Sequence, residues 1–272
     1  MNNNYTIFNR LLGAARLNRS IINHIIGSFA PRRLISTRCS LCLGGQEADT
    51  LFCPACEKDL LIFADCQCYQ CGVPLNYALD QAQDSMKPVY CGACLKSRPA
   101  YDQSCCPLIY QPPLDCLMWQ FKFCHRFDIG DWFAQVLLAR LQRQYSDENR
   151  LPDLIVPVPM TPVQLRQRGF NQSALLAQTI ATRMALPIGF DLIARRGPHK
   201  KQHLLDYKAR LTNLRKCFFV AEDTRAQIQG RHIAVVDDVI TSGATAEVMA
   251  RTLKAAGAER ISIWAVARTP RD

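Results

Sequence analysis

Apolar positions are unevenly patterned along this chain, and the pattern is sharpest towards its C-terminal end. Ile233 to Val236 form an unbroken apolar, largely β-branched run of the kind that marks a strand buried on both faces of a parallel sheet. Ala244 to Ala256 place Val248, Met249, Leu253 and Ala256 on one helical face, and Gly257 ends the run. Ile261 to Val266 supply a final strand. Upstream, Leu154-Ile-Val-Pro-Val-Pro159 reads as a second buried strand whose prolines fit only its end. Leu165 to Gln172 then open a helix in which Leu175, Leu176, Thr179, Ile180 and Met184 recur at helical spacing, with Asn171 placed to cap it. Tyr110-Gln-Pro-Pro-Leu114 leads into Leu117, Met118 and Phe121 on one face of a helix, and Phe133, Val136, Leu137 and Leu141 mark another. Strands alternating with helices predict an α/β domain over 101–272, a parallel sheet with helices on both faces.

That periodicity is missing from 39–100, where cysteine takes its place. The chain has 272 residues, enough for one core and a smaller module, and 14 of them are cysteines. Cys39 and Cys42 are followed after ten residues by Cys53 and Cys56; Cys68 and Cys71 are followed after nineteen by Cys91 and Cys94. Each Cys-x-x-Cys turn presents two thiolates, and two such turns complete a tetrahedral four-thiolate site, so structural zinc is expected at Cys39, Cys42, Cys53, Cys56, Cys68, Cys71, Cys91 and Cys94. Sequential quartets are the simplest pairing; an interleaved cross-brace, or one quartet with the other vestigial, are the alternatives. With so few large apolar groups, metal binding would also supply folding energy. Cys66 is an extra thiol beside the second set, and Cys105, Cys106, Cys116, Cys124 and Cys217, lacking ligand spacing, are expected to be buried small hydrophobes. Lys96 to Asp102 form a turn-rich connector closing this module. Thiolate pairs of this spacing and no signal-peptide core point to a reducing, cytoplasmic setting.

The formal charge of +10 is concentrated at the two ends of the chain. Residues 1–38 hold six arginines and no acid, among Leu11, Leu12, Ile21, Ile22, Ile25, Ile26 and Phe29. Asn23 and His24 interrupt any continuous apolar core, so the segment reads as a basic N-terminal extension, loose or self-packed, in preference to an amphipathic surface helix. No run approaches the length of a membrane span. From Arg195 to Lys216 there are eight basic residues, two histidines and the single acid Asp206, without periodicity, which reads as a mobile basic loop.

The chemistry is concentrated where the strand at Ile233–Val236 runs into Asp237-Asp238-Val-Ile-Thr-Ser-Gly-Ala-Thr245. Two adjacent carboxylates at the carboxyl end of a buried strand must be solvated or paired, and open α/β sheets bind ligands at that edge. Thr241, Ser242, Gly243, Ala244 and Thr245 bring small side chains, hydroxyls and backbone N–H groups to a helix N-terminus, a ready phosphate site. Carboxylates for sugar hydroxyls beside a phosphate cradle amount to a ribose-5-phosphate site. Neither a Gly-x-x-x-x-Gly-Lys-Ser/Thr loop nor a Gly-x-Gly-x-x-Gly loop occurs, which argues against nucleotide triphosphatase and dinucleotide-binding readings.

Val235 to Thr245 resembles the PRPP (5-phosphoribosyl 1-pyrophosphate) motif of type I phosphoribosyltransferases, in which the acidic pair holds the ribose hydroxyls and the loop holds the 5′-phosphate. The resemblance implies the type I phosphoribosyltransferase-like fold for 101–272. On that reading the strand exit at Val158 and Pro159 and the basic loop, through Arg195, Arg196, Lys201 and Arg210, face the pyrophosphate, whose developing charge a closing basic flap would stabilise. Mg²⁺ would bridge pyrophosphate and ribose oxygens while staying largely hydrated. No covalent catalyst is named, because displacement at the anomeric carbon needs positioning and charge stabilisation more than a nucleophilic side chain.

Four features together resemble the ComF family across about residues 39–270: the paired Cys-x-x-Cys sets; Tyr110-x-x-Pro-Leu114 followed by Phe121-Lys-Phe123; Ile155-Val-Pro-Val-Pro159 with Arg168-Gly-Phe-Asn-Gln172; and Gln202-x-x-Leu205, Arg210 and Asn213 before the PRPP motif. The resemblance implies a zinc-binding module joined to a phosphoribosyltransferase-like domain, and a part in the uptake, processing or utilisation of exogenous DNA. It implies PRPP as ligand and admits single-stranded DNA, components of the DNA-uptake machinery and a second copy of the chain as partners. Two alternatives to an enzyme stay open: a non-catalytic adaptor for single-stranded DNA, and a regulator that senses PRPP.

Overall fold

The computed structural model describes residues 38–45, 50–60, 66–75, 88–145, 151–197 and 217–271. The described residues fall into two compact units, divided between Cys56 and Glu57. In the first, Arg38 and Gly45 close a small antiparallel turn, and the Cys39 N–H donates to Gly44 O at 2.8 Å. Helix α1 (Pro54–Leu60) follows Cys53. The basic extension expected over 1–38 lies outside the described residues except for Arg38.

The second unit is built on a parallel sheet. Its strands are β1 (Gln103–Cys105), β2 (Leu108–Ile109), β3 (Leu154–Pro157), β6 (His232–Ile240) and β7 (Arg260–Arg268), ordered β1-β7-β6-β3 with β2 continuing beside β7 beyond β1. Ile155 also bridges Ile188 in parallel, which adds a short fifth position beyond β3. The central pair runs from His232 opposite Arg260 to Ile240 opposite Arg268. Both strands are longer than the apolar runs suggest: β6 carries the acidic pair inside the ladder, with Asp237 opposite Ala265.

Side chains alternate across this sheet, and each face is covered. Ile233, Val235, Ile261, Ile263, Ala265, Leu154 and Val156 share one core with Val248, Met249, Ala250 and Leu253 of α7 (Ala244–Ala255). The other face carries α3 (Leu114–Phe123), α4 (Phe127–Gln144) and α6 (Gln172–Met184), which bury Leu117, Phe121, Phe133, Leu137, Leu141, Leu176 and Ile180. Leu114, Leu117, Met118 and Phe121 are the buried stripe of α3, as their spacing requires. Asn171 caps α6, its Oδ1 accepting from Ala174 N–H at 3.3 Å. Ahead of it stands a separate helix, α5 (Pro162–Arg168), started by a Thr161/Gln164 capping box and ended by Gly169 at φ 83°.

Two expectations are corrected. Arg195 and Arg196 do not open a loop. Arg195 ends β4 (Ile193–Arg195), which pairs antiparallel with β5 (Phe218–Val220), because Ile193 and Phe218 are buried against the α7 side of the core. Cys116 and Cys124 are exposed, since one lies on the solvent face of α3 and the other caps its end, whereas Cys105, Cys106 and Cys217 are buried as expected. The Cys-rich module precedes the domain as expected, and its second cysteine set also packs against the sheet. Cys68, Cys71 and Cys94 belong to the same core cluster as the sheet and α7. The Ser104 N–H of β1 donates to Tyr69 O at 3.0 Å, and Gly72, at φ +68°, lies so close to β1 that an added Cβ would sit 2.8 Å from Cys106 Sγ. In sequence, helix α2 (Gly92–Lys96) lies between the turn and β1. No described helix is long and apolar enough to cross a membrane.

Candidate phosphosugar site and cysteine centres

The carboxyl ends of β3 and β6, the end of α3 and the start of α6 converge on the acidic pair. Val158, just past β3, is buried; its N–H donates to Val236 O at 2.9 Å, and its carbonyl accepts from Asn171 Nδ2 at 3.0 Å. Pro159 follows it, half-buried, in the exit loop. The next two residues of α6 face the acids: Gln172 Nε2 donates to Asp238 Oδ2 at 3.0 Å, and Ser173 Oγ to Asp237 Oδ1 at 3.1 Å.

The two acids have different surroundings. Asp238, only 6% exposed, is held by Lys122 Nζ at 2.9 Å, by Gln172 and by the Val239 N–H at 2.7 Å. Its charge is thus compensated within the protein. Asp237 is half-buried and has Ser173 and the Asp238 N–H as hydrogen-bond donors. Desolvation, reinforced by the neighbouring Asp238 charge, pushes its carboxyl up to about 7, against the opposing pull of those donors and of Lys122. A carboxylate so poorly compensated, at the ligand edge of a parallel sheet, is a group prepared for a cation or a set of hydroxyls.

The strand then gives way to the small-residue loop. Thr241 is exposed, Ser242 and Thr245 half-buried, Gly243 and Ala244 buried. Gly243 is the N-cap of α7 at φ 82°, a left-handed conformation costly for residues with a side chain. The amides that follow open a twelve-residue helix and have no helical acceptor, Ala244 N–H donating at 3.4 Å to Ser242 Oγ, and the helix dipole favours an anion there. Beneath the loop lies the fully buried Arg268, whose Nη1 donates to Ile240 O at 2.9 Å and to Thr241 O, and whose Nε donates to Cys71 O at 3.0 Å.

The remaining site candidates are distributed around this corner. Arg195 is largely withdrawn from solvent and lies 5.3 Å from the centroid of the Phe218 ring; burial lowers its pKa, and the fields of Cys217 and Asp237 oppose that shift. Arg196 is exposed and stacks over Phe219 at 4.6 Å. Lys201 and Arg210 lie outside the described residues. Arg168 stacks over Phe123 at 4.9 Å, and Asp238 supports its charge against burial; Arg166 is exposed. Lys122, Gln172, Ser173 and Arg268 were not singled out for these roles by sequence reasoning. A usable signal for Lys122 is its place between Phe121 and Phe123, a cation on a helix whose neighbouring ring is fully buried.

Both cysteine quartets assemble as sequential sets. The sulfurs of Cys39, Cys42, Cys53 and Cys56 lie within 4.8 Å of one another, as do those of Cys68, Cys71, Cys91 and Cys94. Cys42 and Cys53 sulfurs are 3.8 Å apart and Cys71 and Cys91 sulfurs 3.6 Å, close to the edge of about 3.8 Å set by a tetrahedron with Zn–S near 2.3 Å. Cys66 joins neither set. Backbone N–H groups of Cys42, Cys53 and Leu41 pull the Cys39 thiol down to about 6 although burial opposes them. The hydrogen bond from Cys71 brings Cys68 down to about 4, whereas burial and the neighbouring thiols push Cys56, Cys71 and Cys94 up, so the fit to zinc rests on the sulfur geometry. Both four-cysteine centres therefore suit structural zinc.

Residues 136–272 match the phosphoribosyl transferase domain family, so the sheet and its ligand edge are of the type I phosphoribosyltransferase class. The chain is 33% identical over 233 residues to Competence protein F of Haemophilus influenzae, covering 85% of this chain and 96% of that one. It is 32% identical over 232 residues to the DNA utilization protein YhgH of Escherichia coli K12, covering 85% and 90%, and 31% identical over 134 residues to Competence protein ComFC of Bacillus subtilis, covering 49% and 50%. The chain belongs to the ComF family.

The raised Asp237 carboxyl has a consequence for stability. Between pH 4 and 7 the folded chain keeps a proton that the unfolded chain releases, so stability falls as pH rises through that window and the whole penalty is present above about 7. Asp237→Asn removes it. By urea unfolding at pH 8 this variant should be more stable than wild type by on the order of 2 kcal/mol, discounted for the partial exposure of the side chain, with the gain shrinking towards pH 4.5. A gain independent of pH, or a loss at pH 8, would contradict the assignment.

Proposed function

We propose that the domain binds PRPP with Mg²⁺ at the carboxyl end of β6, and that the protein acts in the uptake, processing or utilisation of exogenous DNA. One observation carries the ligand reading: an under-compensated carboxylate, Asp237, stands one short turn before the Gly243-capped start of α7, so hydroxyl acceptor and phosphate donors occur at the spacing of a ribose 5-phosphate. Thr241, Ser242, Gly243, Ala244 and Thr245 receive the 5′-phosphate, Asp237 the ribose hydroxyls, and Asp238 orders the corner through Lys122 and Gln172. The pyrophosphate is assigned to Val158, Pro159, Arg195 and Arg196, and to Lys201 and Arg210, which lie outside the described residues. The hard, half-exposed carboxylate of Asp237 suits Mg²⁺, which would supply positive charge to the pyrophosphate while keeping most of its water. The DNA role is supported by the names of the relatives and by their coverage of most of this chain. A cytoplasmic setting is supported by the two cysteine quartets, whose thiols must remain reduced to hold metal.

Calorimetric titration of PRPP with Mg²⁺ should show saturable binding to wild type, weakened by about tenfold or more in Asp237→Asn, the loss expected for a hydrogen bond to a charged group. Absence of binding, or equal affinity in the variant, would remove the reading. Pyrophosphate release measured across a panel of nucleobases then separates a transferase from a regulator that binds and does not turn over.

A second reading, binding of single-stranded DNA, is favoured by a separate surface. Trp119, Phe123 and Phe127 are 57%, 54% and 43% exposed, unusual for rings of this size. They form a strip with His125, Phe170 and Arg168, the Trp119 and Phe123 rings 5.9 Å apart and Phe127 and Phe170 5.1 Å apart. Exposed rings with a guanidinium stacked among them, here Arg168 over Phe123, are what stacked bases and a phosphate backbone require. Fluorescence anisotropy with a labelled single-stranded oligonucleotide should give salt-dependent binding that weakens by about tenfold or more in Trp119→Ala/Phe123→Ala. Unchanged binding in that variant, or none by wild type, would count against this surface.

A further inference from the structure

The second cysteine quartet is tied to the phosphate loop by contacts that neither zinc binding nor chain connectivity requires. Arg268 is fully buried, and among the described residues no carboxylate pairs with it. Its guanidinium is neutralised by carbonyls instead: Cys71 O on one side, and Ile240 O and Thr241 O on the other. These last two immediately precede Ser242 and Gly243. The neighbouring residue of the same Cys-x-x-Cys turn makes a second connection, since Gln70 Nε2 donates to Tyr101 O at 2.9 Å, and the Tyr101 hydroxyl stands 3.7 Å from where a Cβ on Gly243 would lie. A third comes from Ala100, whose N–H donates at 2.7 Å to Glu247, a buried carboxylate in the first turn of α7. The quartet thus bears on the last residues of β6, on the N-cap glycine and on the first turn of the helix whose amides would take the phosphate.

We infer that the Cys68/Cys71/Cys91/Cys94 centre, acting through Arg268, is a positioning element of the phosphosugar site, so that metal in this quartet and ligand on the Thr241–Thr245 loop strengthen each other. Four thiolates around a divalent ion leave a net negative centre, the charge complement that a buried guanidinium held only by carbonyls lacks. Metal fixes the Cys71 turn and hence the direction of its carbonyl; with that acceptor in place, Arg268 is held against Ile240 and Thr241, and the loop keeps the curvature that aims its amides outward. Coupling between two sites is reciprocal, so phosphosugar must tighten this quartet by the same factor that metal tightens phosphosugar. Cys39, Cys42, Cys53 and Cys56 serve as a control in the same chain, because none of the three links to the phosphate loop described above starts from that quartet.

The ligand half of this inference rests on the PRPP reading; the metal half does not, and two measurements on the full-length, zinc-loaded protein keep them apart. Hydrogen exchange at residues 241–245 is compared in wild type, in Cys91→Ser and in Cys42→Ser, each assayed for zinc content. Cys91→Ser should accelerate loop exchange at least tenfold while the Ile233–Val236 amides stay protected, and Cys42→Ser should leave the loop unchanged. Equal loop exchange in all three overturns the coupling. If Cys91→Ser also exposes Ile233–Val236 it has unfolded, and the second measurement decides. Isotope-coded alkylation of wild type, read by mass spectrometry at each cysteine, should be slowed at least fivefold by saturating PRPP with Mg²⁺ at Cys68, Cys71, Cys91 and Cys94 and not at Cys39, Cys42, Cys53 and Cys56, with the difference lost in Arg268→Met. Uniform slowing of both quartets, or of neither while calorimetry shows binding, overturns the inference. No calorimetric binding overturns the PRPP reading and the ligand half with it, and leaves the exchange result to decide the metal half.

Discussion

The buried guanidinium of Arg268 is the interaction on which the functional end of this molecule depends. It terminates β7, stands opposite Ile240 of β6 and Ile109 of β2, and is closed off from water. A charge in that position is tolerable only if dipoles converge on it, and here they come from three backbone segments distant in sequence: Cys71, Ile240 with Thr241, and Thr269. Moving any of these carbonyls would expose the desolvation cost of the cation. The constraint therefore runs outward from Arg268: the carboxyl end of β6 cannot slide, the cysteine turn cannot lift away, and the left-handed Gly243 follows at a fixed distance along the chain.

The acidic pair shows how a short motif divides its labour. Successive residues of a strand present opposite faces, and the two carboxylates accordingly meet different partners. Asp238 takes Lys122 and Gln172 and becomes part of the scaffold, an almost buried ion pair whose breakage by removing one partner would cost several kcal/mol. Asp237 keeps only weak compensation, and its carboxyl rises towards neutrality as a result. A ligand that brings a cation and hydroxyls to this edge would relieve that unfavourable state, which supports the proposed metal-bearing sugar phosphate over a simple anion.

Local patterns were readable in the sequence wherever one periodic signal decided the structure. The apolar run at Ile233–Val236, the stripe Val248, Met249, Leu253 and Ala256, and the α3 face all appear as their spacing requires, and the Cys-x-x-Cys spacing alone places four sulfurs together twice. Less legible were features fixed by distant contacts. Nothing local says that Lys122 reaches an aspartate more than a hundred residues away, or that an arginine at the end of the last strand is buried. The β4–β5 ladder was hidden because Arg195 and Arg196 look like the start of a basic loop, whereas their stem packs on Phe218 and Phe219 and the strand edge is set by Ile193. The packing of the second quartet on the sheet is equally illegible, because cysteine spacing reports ligand geometry and is silent about what the turn packs against.

The most direct measurement is a crystal structure of the zinc-loaded protein with PRPP and Mg²⁺, with anomalous diffraction at the zinc edge. The account predicts a 5′-phosphate on the amides of residues 241–245, ribose hydroxyls on Asp237, the Lys122–Asp238 pair intact, and Arg268 still joining Cys71 to Ile240 and Thr241. Ligand bound elsewhere, or ligand bound at this edge with Arg268 released from Cys71, would contradict it.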